Sequence, residues 1–408
     1  MLRYLVKWFL IVLPVAIVIG SLVALFLWLL EQATILRWHN EWLLYFLPFI
    51  GLGIVALYRF KGKNAEAGNH LVIDEIHKPG GGIPLRMAPF ILISTVITHL
   101  FGGSAGREGT AVQIGGSIAH FFAQKFKLNP GDFRILLMTG IAAGFGAVFG
   151  TPVAGAVFAL EVIAMRKIRY DALIPSFIAA FIADIVCSAY GIQHTHYIIH
   201  SHVLNLKFIS FDFHVLVWVM LAGIAFGLTS LMFVKSSHGI KYFVTKFEFN
   251  KFLVVFVGGL VIVGLTHLLG TSDYLGLGVS TKSGIGTSIV NAFHANGVDM
   301  LGWFWKLLFT VITLSVGFKG GEVTPLFFIG ACLGNTIASM SGMPVDLFAG
   351  LGFIAVFAAA SKTPIACIIM SVELFGGEFI LYFIVATILA YYFSGNAGIY
   401  GAKRIEAK

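Results

Sequence analysis

The sequence predicts an all-α polytopic membrane protein, built from two inverted-topology repeats whose broken helices meet near the bilayer midplane. Three observations predict it. Only 11% of the 408 residues are charged and 58% are hydrophobic, against about a quarter charged in an ordinary soluble chain. Apolar runs recur from end to end, and a helical span needs ~20 such residues, with every backbone polar group satisfied internally. Two short signatures also recur, in the same order, in the two halves of the chain.

The first element is a span over 4–34, basic at its start and kinked at Pro14, within an N-terminal segment 1–40. Its apolar stretch far exceeds the roughly 7–15 residues of a signal-peptide core, so it reads as a membrane segment and not as a removable leader. A first repeat, 41–206, carries apolar segments over 41–59, 84–101, 110–126, 132–149, 151–165 and 172–190, then a polar loop from 191. A second repeat, 207–395, carries segments over 212–235, 252–269, 301–317, 324–340, 345–360, 363–374 and 377–394. Between two of these, Tyr274 to Asn291 is too rich in Gly, Ser and Thr to face lipid. Several segments are short and bounded by Gly or Pro; such broken helices are tolerated only where they line a cavity or are buried in protein. Residues 396–408 form a C-terminal segment.

The repeat is carried by two signatures. Thr151-Pro152-Val153-Ala154 leads to Glu161 at the same spacing that separates Thr363-Pro364-Ile365-Ala366 from Glu373. Upstream, Glu108 precedes Gly116 as Glu322 precedes Gly330. This register pairs Glu108 with Glu322. Transporters built from inverted repeats hold substrate near the midplane, at the N-termini of discontinuous helices.

Gly106-Arg107-Glu108-Gly109-Thr110 follows a span and opens a helix, and Lys319-Gly320-Gly321-Glu322-Val323-Thr324-Pro325 repeats the design. Glycines allow a turn that exposes N–H groups, and a helix start carries roughly half a positive charge, a combination that favours an anion. A carboxylate there competes with the anion. Glu108 is therefore read as a gate that occupies the anion position when charged and frees it when protonated; its bland reading is a helix-start acid paired with Arg107. Glu322 is read as a possible proton or anion relay.

These residues resemble the CLC family of chloride channels and proton-coupled anion antiporters. Gly106–Thr110 is similar to the family's Gly-Arg-Glu-Gly-Pro motif, with Thr110 in place of proline. Gly321–Pro325 is similar to Gly-x-Phe-x-Pro, with Val323 in place of phenylalanine, and Tyr400 matches the inner-site tyrosine. The filter serine of Gly-Ser-Gly-Ile-Pro falls at Asn69 by spacing, although Gly80-Gly81-Gly82-Ile83-Pro84 is closer by eye. Val162 follows Glu161 where the chloride antiporters carry a second, proton-accepting glutamate. These departures resemble the bacterial fluoride-selective branch. The resemblance implies a fluoride/proton antiporter with Glu108 as gating and proton-carrying residue. Its anion-binding residues would be Asn69, Gly106, Arg107, Gly109, Glu322, Val323, Thr324 and Tyr400. It also implies a homodimer in the cell's inner membrane, with no cofactor. A chloride channel or chloride/proton antiporter is the alternative.

The remaining signals are weaker. A net charge of +8 points to basic cytoplasmic loops and not to nucleic acid. His194, His196, His200 and His202 lack helical spacing for a metal site. Glu161 and Glu373 are expected to bond backbone or cap helices, Asp184 to face a protein interface or water pocket, and Trp38, Trp42, Trp303 and Trp305 to form interfacial belts. No His-Glu-x-x-His, Gly-x-Ser-x-Gly or Walker loop supports an enzyme, so a membrane-embedded hydrolase is a distant third reading.

Overall fold

The computed structural model describes residues 2–164, 169–200, 205–206, 209–210 and 212–401. Fifteen α-helices lie among them, with one two-residue antiparallel ladder pairing Asn205–Leu206 with Ile209–Ser210. Seven helical segments are long and apolar enough to cross a membrane, and six shorter apolar helices accompany them.

Helix α1 (Leu2–His39) continues through Pro14. A 3₁₀ turn leads into α2 (Leu47–Leu57), which ends in a π turn at Tyr58–Gly62. The short α3 (Asn69–His77) and α4 (Met87–Leu100) follow, then α5 (Glu108–Lys125). Helix α6 (Pro130–Phe149) starts where the Asn129 side chain accepts from the Gly131 and Asp132 amides, with Pro130 in the first turn. It stops at Gly150, whose φ of +69° suits glycine. Helices α7 (Pro152–Ile163) and α8 (Leu173–Ala189) complete the first half.

The second half repeats this plan with α9 (Phe213–Lys246), α10 (Lys251–Leu269), α11 (Gly302–Ser315), α12 (Val323–Ser341), α13 (Val345–Ser361), α14 (Pro364–Phe375) and α15 (Ile380–Phe393). Helix α9 runs well past the apolar stretch that predicts it, because the basic turns around Lys235, Lys241 and Lys246 continue the helix. The stretch 270–301 is irregular apart from one 3₁₀ turn at Asn291–Phe293, in line with its Gly-rich composition.

Packing follows the same plan twice. In the first half α1 lies on α6 and α8, α4 on α5, and α5 on α6; in the second α9 lies on α13 and α15, α11 on α12, and α12 on α13. Helices α2 with α10 and α7 with α14 pair across the halves. The α7–α14 pair reveals the symmetry. The Glu161 carboxylate, at the end of α7, accepts from the Ile365 and Ala366 amides at the start of α14, at 3.1 and 2.8 Å. The Glu373 carboxylate, at the end of α14, accepts from the Val153 and Ala154 amides at the start of α7, at 2.9 and 2.7 Å. Equivalent helices thus run antiparallel with reciprocal contacts, so a two-fold axis perpendicular to them relates the halves. The repeats are inverted.

The same symmetry corrects the register of the upstream signature. Gly106 and Gly321 bridge each other, α5 begins at Glu108 and α12 at Val323. Glu322 is therefore the counterpart of Arg107, not of Glu108. Gly115, not Gly116, matches Gly330. A Cβ on Gly115 would lie 2.0 Å from the Gly140 carbonyl oxygen, and one on Gly330 would lie 1.9 Å from that of Gly352. Both glycines exist so that α5 can press on α6 and α12 on α13, backbone to backbone.

Gly330→Ala is expected to destroy the fold, leaving no monodisperse protein in detergent. Gly264→Ala on α10, where an added Cβ meets nothing within 4 Å, is expected to elute normally and to melt no lower than wild type. Size-exclusion chromatography and thermal denaturation of the two variants check this.

Candidate functional site

The loops before α5 and α12 lie back to back. The Gly106 amide donates to the Gly321 carbonyl at 2.6 Å, and the Gly321 amide to the Gly106 carbonyl at 2.7 Å. No side chain fits between them. A Cβ on Gly321 would lie 2.8 Å from the Gly109 nitrogen, and one on Gly106 would lie 2.9 Å from Pro325 Cδ and 3.0 Å from the Thr324 nitrogen. The two helix N-termini thereby converge on one spot.

Glu108 fills that spot. It is 1% exposed, although its side chain ends in a carboxylate that water would solvate well. Its Oε2 accepts from the Thr324 amide at 3.0 Å and the Arg107 amide at 3.1 Å. Its Oε1 accepts from the Thr324 hydroxyl and lies 3.7 Å from Arg107 Nε. The carboxylate lies at the N-terminus of the opposite half's helix, where the backbone dipole and two donors of one residue meet it.

A cavity opens on each side of this plug. One, of about 480 Å³, is lined by Arg107 with Arg37, Gln193, Thr195 and Ser280 among others. The second, of about 140 Å³, is lined by Asn69, His70, Gln113, Lys241, Gly320 and Glu322 among others. Asn69 begins α3 just after Gly68, whose φ of +59° and ψ of −131° form a turn open to glycine. The Asn69 Nδ2 would be 3.1 Å from a Cβ on Gly109, which places it beside the Glu108 loop, and its Oδ1 is buried without a hydrogen-bond partner.

The structure thus gathers Gly106, Arg107, Glu108, Gly109, Gly321, Thr324 and Asn69 at one point. Val323 is fully buried at the start of α12. Glu322 points elsewhere: it faces the smaller cavity, with Oε1 3.9 Å from Lys241 Nζ. Tyr400 meets the Phe158 ring edge to face at 6.0 Å, and the Ile399 amide anchors its loop on the Ala360 carbonyl at 2.9 Å. The phenol lies within electrostatic reach of both Glu322 and Glu108. The Gly80–Pro84 loop is remote from this cluster in its bonding, because Gly80 and Gly82 donate to the buried Glu75 carboxylate. Thr110, in place of proline, uses its hydroxyl to bond Thr95 of α4 at 2.8 Å.

Among the described residues no group of three His, Cys, Asp or Glu is placed to hold a metal. His194 covers Gly150 and the His200 amide donates to Asp346; His202 lies outside the described residues. Sequence reasoning missed Lys241 and Gln113 around the smaller cavity and quoted Lys319 there only as part of the helix-start motif. It also missed Lys306, which is fully buried in α11, though a lysine inside an apolar run is itself a functional signal.

Comparison with known proteins adds to this geometry. Residues 50–395 match the family described as "Voltage gated chloride channel". A protein of Pseudomonas syringae pv. tomato named "Chloride/fluoride channel protein" is 45% identical over 99% of this chain and 88% of its own. A crystal structure described as a CLC-type fluoride/proton antiporter superposes with a TM-score of 0.89 at 34% identity, covering 97% of both chains. A slow cyanobacterial Cl⁻/H⁺ antiporter superposes with a TM-score of 0.76 at 19% identity, over 97% of this chain and 96% of its own, a likeness of fold.

Gly321→Ala is expected to force the paired loops apart and to lower anion flux at least ~10-fold, since a 1.4 kcal/mol loss is already tenfold. Efflux of fluoride and of chloride from proteoliposomes would check it. Efflux at the wild-type rate would show that loop pairing is dispensable.

Proposed function

The chain belongs to the voltage-gated chloride channel (CLC) family of anion channels and transporters, and from that premise we propose that it is a fluoride/proton antiporter that exports fluoride. One observation carries this reading: the Glu108 carboxylate, buried between two cavities, accepts the Thr324 amide and hydroxyl that would otherwise bind an anion. Protonation removes its charge, weakens its hold on those donors and lets an anion replace it. The gate and the proton carrier are one group.

Fluoride fits the site better than chloride on two counts. It is small and strongly hydrated, so a site must return short, well-aimed donors for the water it strips. The Thr324 amide and hydroxyl and the Arg107 amide already converge on Glu108 in that way. The site is also tight, because Gly106, Gly109 and Gly321 pack where any Cβ would meet neighbouring atoms within 3.2 Å. Gly106, Arg107, Gly109, Val323 and Thr324 frame the anion, and Asn69 adds an amide donor from the smaller cavity.

In the proposed cycle the proton does not require a second glutamate at Val162. Protonated Glu108 swings toward the smaller cavity and exchanges its proton there, with Glu322 as relay and Tyr400 closing the inner end. Lys241, 3.9 Å from Glu322, holds that carboxylate at the cavity wall. The smaller cavity faces the cytoplasm under this proposal, because Lys241 and Lys319 line it, Lys251 bonds Glu66 of its wall, and basic residues concentrate inside. The protein is proposed to work in the inner membrane as a homodimer, one pathway in each subunit.

Liposomes loaded with fluoride or chloride, followed with an anion electrode and a pH electrode together, provide the test. Fast fluoride efflux with stoichiometric proton uptake and slow chloride efflux are expected; equal efflux of the two anions would move chloride transport to first place. In Glu108→Gln, proton movement is expected to vanish, since an amide cannot carry the proton. Stoichiometric proton movement retained in that variant would remove Glu108 from the mechanism.

A further inference from the structure

The larger cavity is surrounded by more positive charge than the transport cycle uses. Arg37, in the last turn of α1, is 9% exposed, lines the cavity and, among the described residues, makes one weak hydrogen bond, 3.4 Å to the His99 carbonyl. A guanidinium has five donors, so most of this one's hydrogen-bonding capacity is left to the cavity. Arg107 lines the same space, with its Nε buried and without a hydrogen-bond partner.

Behind the wall lies a third basic side chain. Lys306 is fully buried, and its Nζ donates to the Tyr274 and Gly276 carbonyls at 3.1 and 2.7 Å. It sits 3.2 Å from where a Cβ on the wall residue Gly278 would stand, and 5.2 Å from the Phe328 ring centre. Among the described residues neither Arg37 nor Lys306 has a carboxylate partner. Glu31 is the only carboxylate among the residues lining the cavity, and it is exposed. Buried charge without a counter-charge is costly in a low-dielectric interior. An anion in the cavity would supply that counter-charge.

The size and shape of the cavity narrow the ligand. About 480 Å³ is many times the ~30 Å³ share of one water molecule, so a lone halide would rattle in it. Guanidinium forks match planar oxygen pairs in bidentate fashion. We propose that the larger cavity is a binding site for a planar oxyanion or carboxylate, held between the Arg37 and Arg107 guanidiniums with Lys306 behind the wall. This site shares Arg107 with the Glu108 plug, while Arg37 and Lys306 belong to it alone, and it does not depend on which anion the protein carries.

Two indoles report on it directly, because Trp28 and Trp38 line the cavity and nitrate quenches indole fluorescence. Titrating nitrate into the purified protein is expected to give a saturable quenching component above the linear collisional background. That component should disappear in a Trp28→Phe/Trp38→Phe double variant. In Arg37→Gln its midpoint should rise roughly tenfold or more, as the loss of a charge-assisted bidentate bond predicts. Arg37→Lys keeps the charge without the fork and should fall between the two. Linear quenching in the wild type, or a saturable midpoint unchanged in Arg37→Gln, overturns the site. Should Arg37→Gln fail to elute as a folded protein, an unchanged midpoint in Arg37→Lys overturns it instead.

Discussion

Backbone N–H groups at the start of a helix have no partner within that helix, and at membrane depth water is not there to supply one. This constraint governs the whole structure. Four helices begin inside the protein at the centre of the fold, and three of these starts are served from the opposite half. Glu161 and Glu373 serve the starts of α14 and α7 reciprocally. Glu108 of the first half serves the start of α12 through the Thr324 amide. Three of the four tasks fall to a carboxylate. Two of these carboxylates are fixtures, lying at helix ends and bonded to two amides each. The third, at the head of α5, accepts from two amides and the Thr324 hydroxyl.

Much of this was legible in the sequence because the constraint writes itself in residue types. Thr-Pro at a helix start and glutamate at the matching end recur in both halves, and the pairing of Glu161 with the second Thr-Pro segment follows from duplication plus a two-fold axis. The direction of that axis was not legible: parallel and inverted repeats share one sequence signature, and only the antiparallel α7–α14 contact separates them. The one-residue error in the upstream register has a physical origin. Matching glutamates by chemistry aligned Glu108 with Glu322, whereas the backbone aligns Gly106 with Gly321 and leaves Glu322 facing the smaller cavity beside Lys241. Side-chain type misled where backbone packing decided.

The substituted motif positions also acquire local reasons. Thr110 stands where the resemblance expects proline, and its hydroxyl ties α5 to Thr95 of α4, a bond that proline lacks the means to form. Pro325 holds the equivalent place in the second half, in the first turn of α12. Asn69 was placed by spacing alone, and its amide nitrogen does lie beside the Gly109 loop. The cations around the larger cavity were the hardest to read. Arg37, Arg107 and Lys306 are far apart in sequence and belong to both halves, so no local pattern brings them together.

The reciprocal carboxylates bear on how such a protein is made. While the first half emerges from the ribosome, α7 lacks the glutamate that serves its N-terminus, and Glu161 lacks the amides it will bond. Neither half is complete without the other, and the first must persist in the bilayer until residues 364–373 arrive. The same logic runs backward in evolution. A half-length chain could meet these needs only by pairing with a second copy of itself inserted upside down.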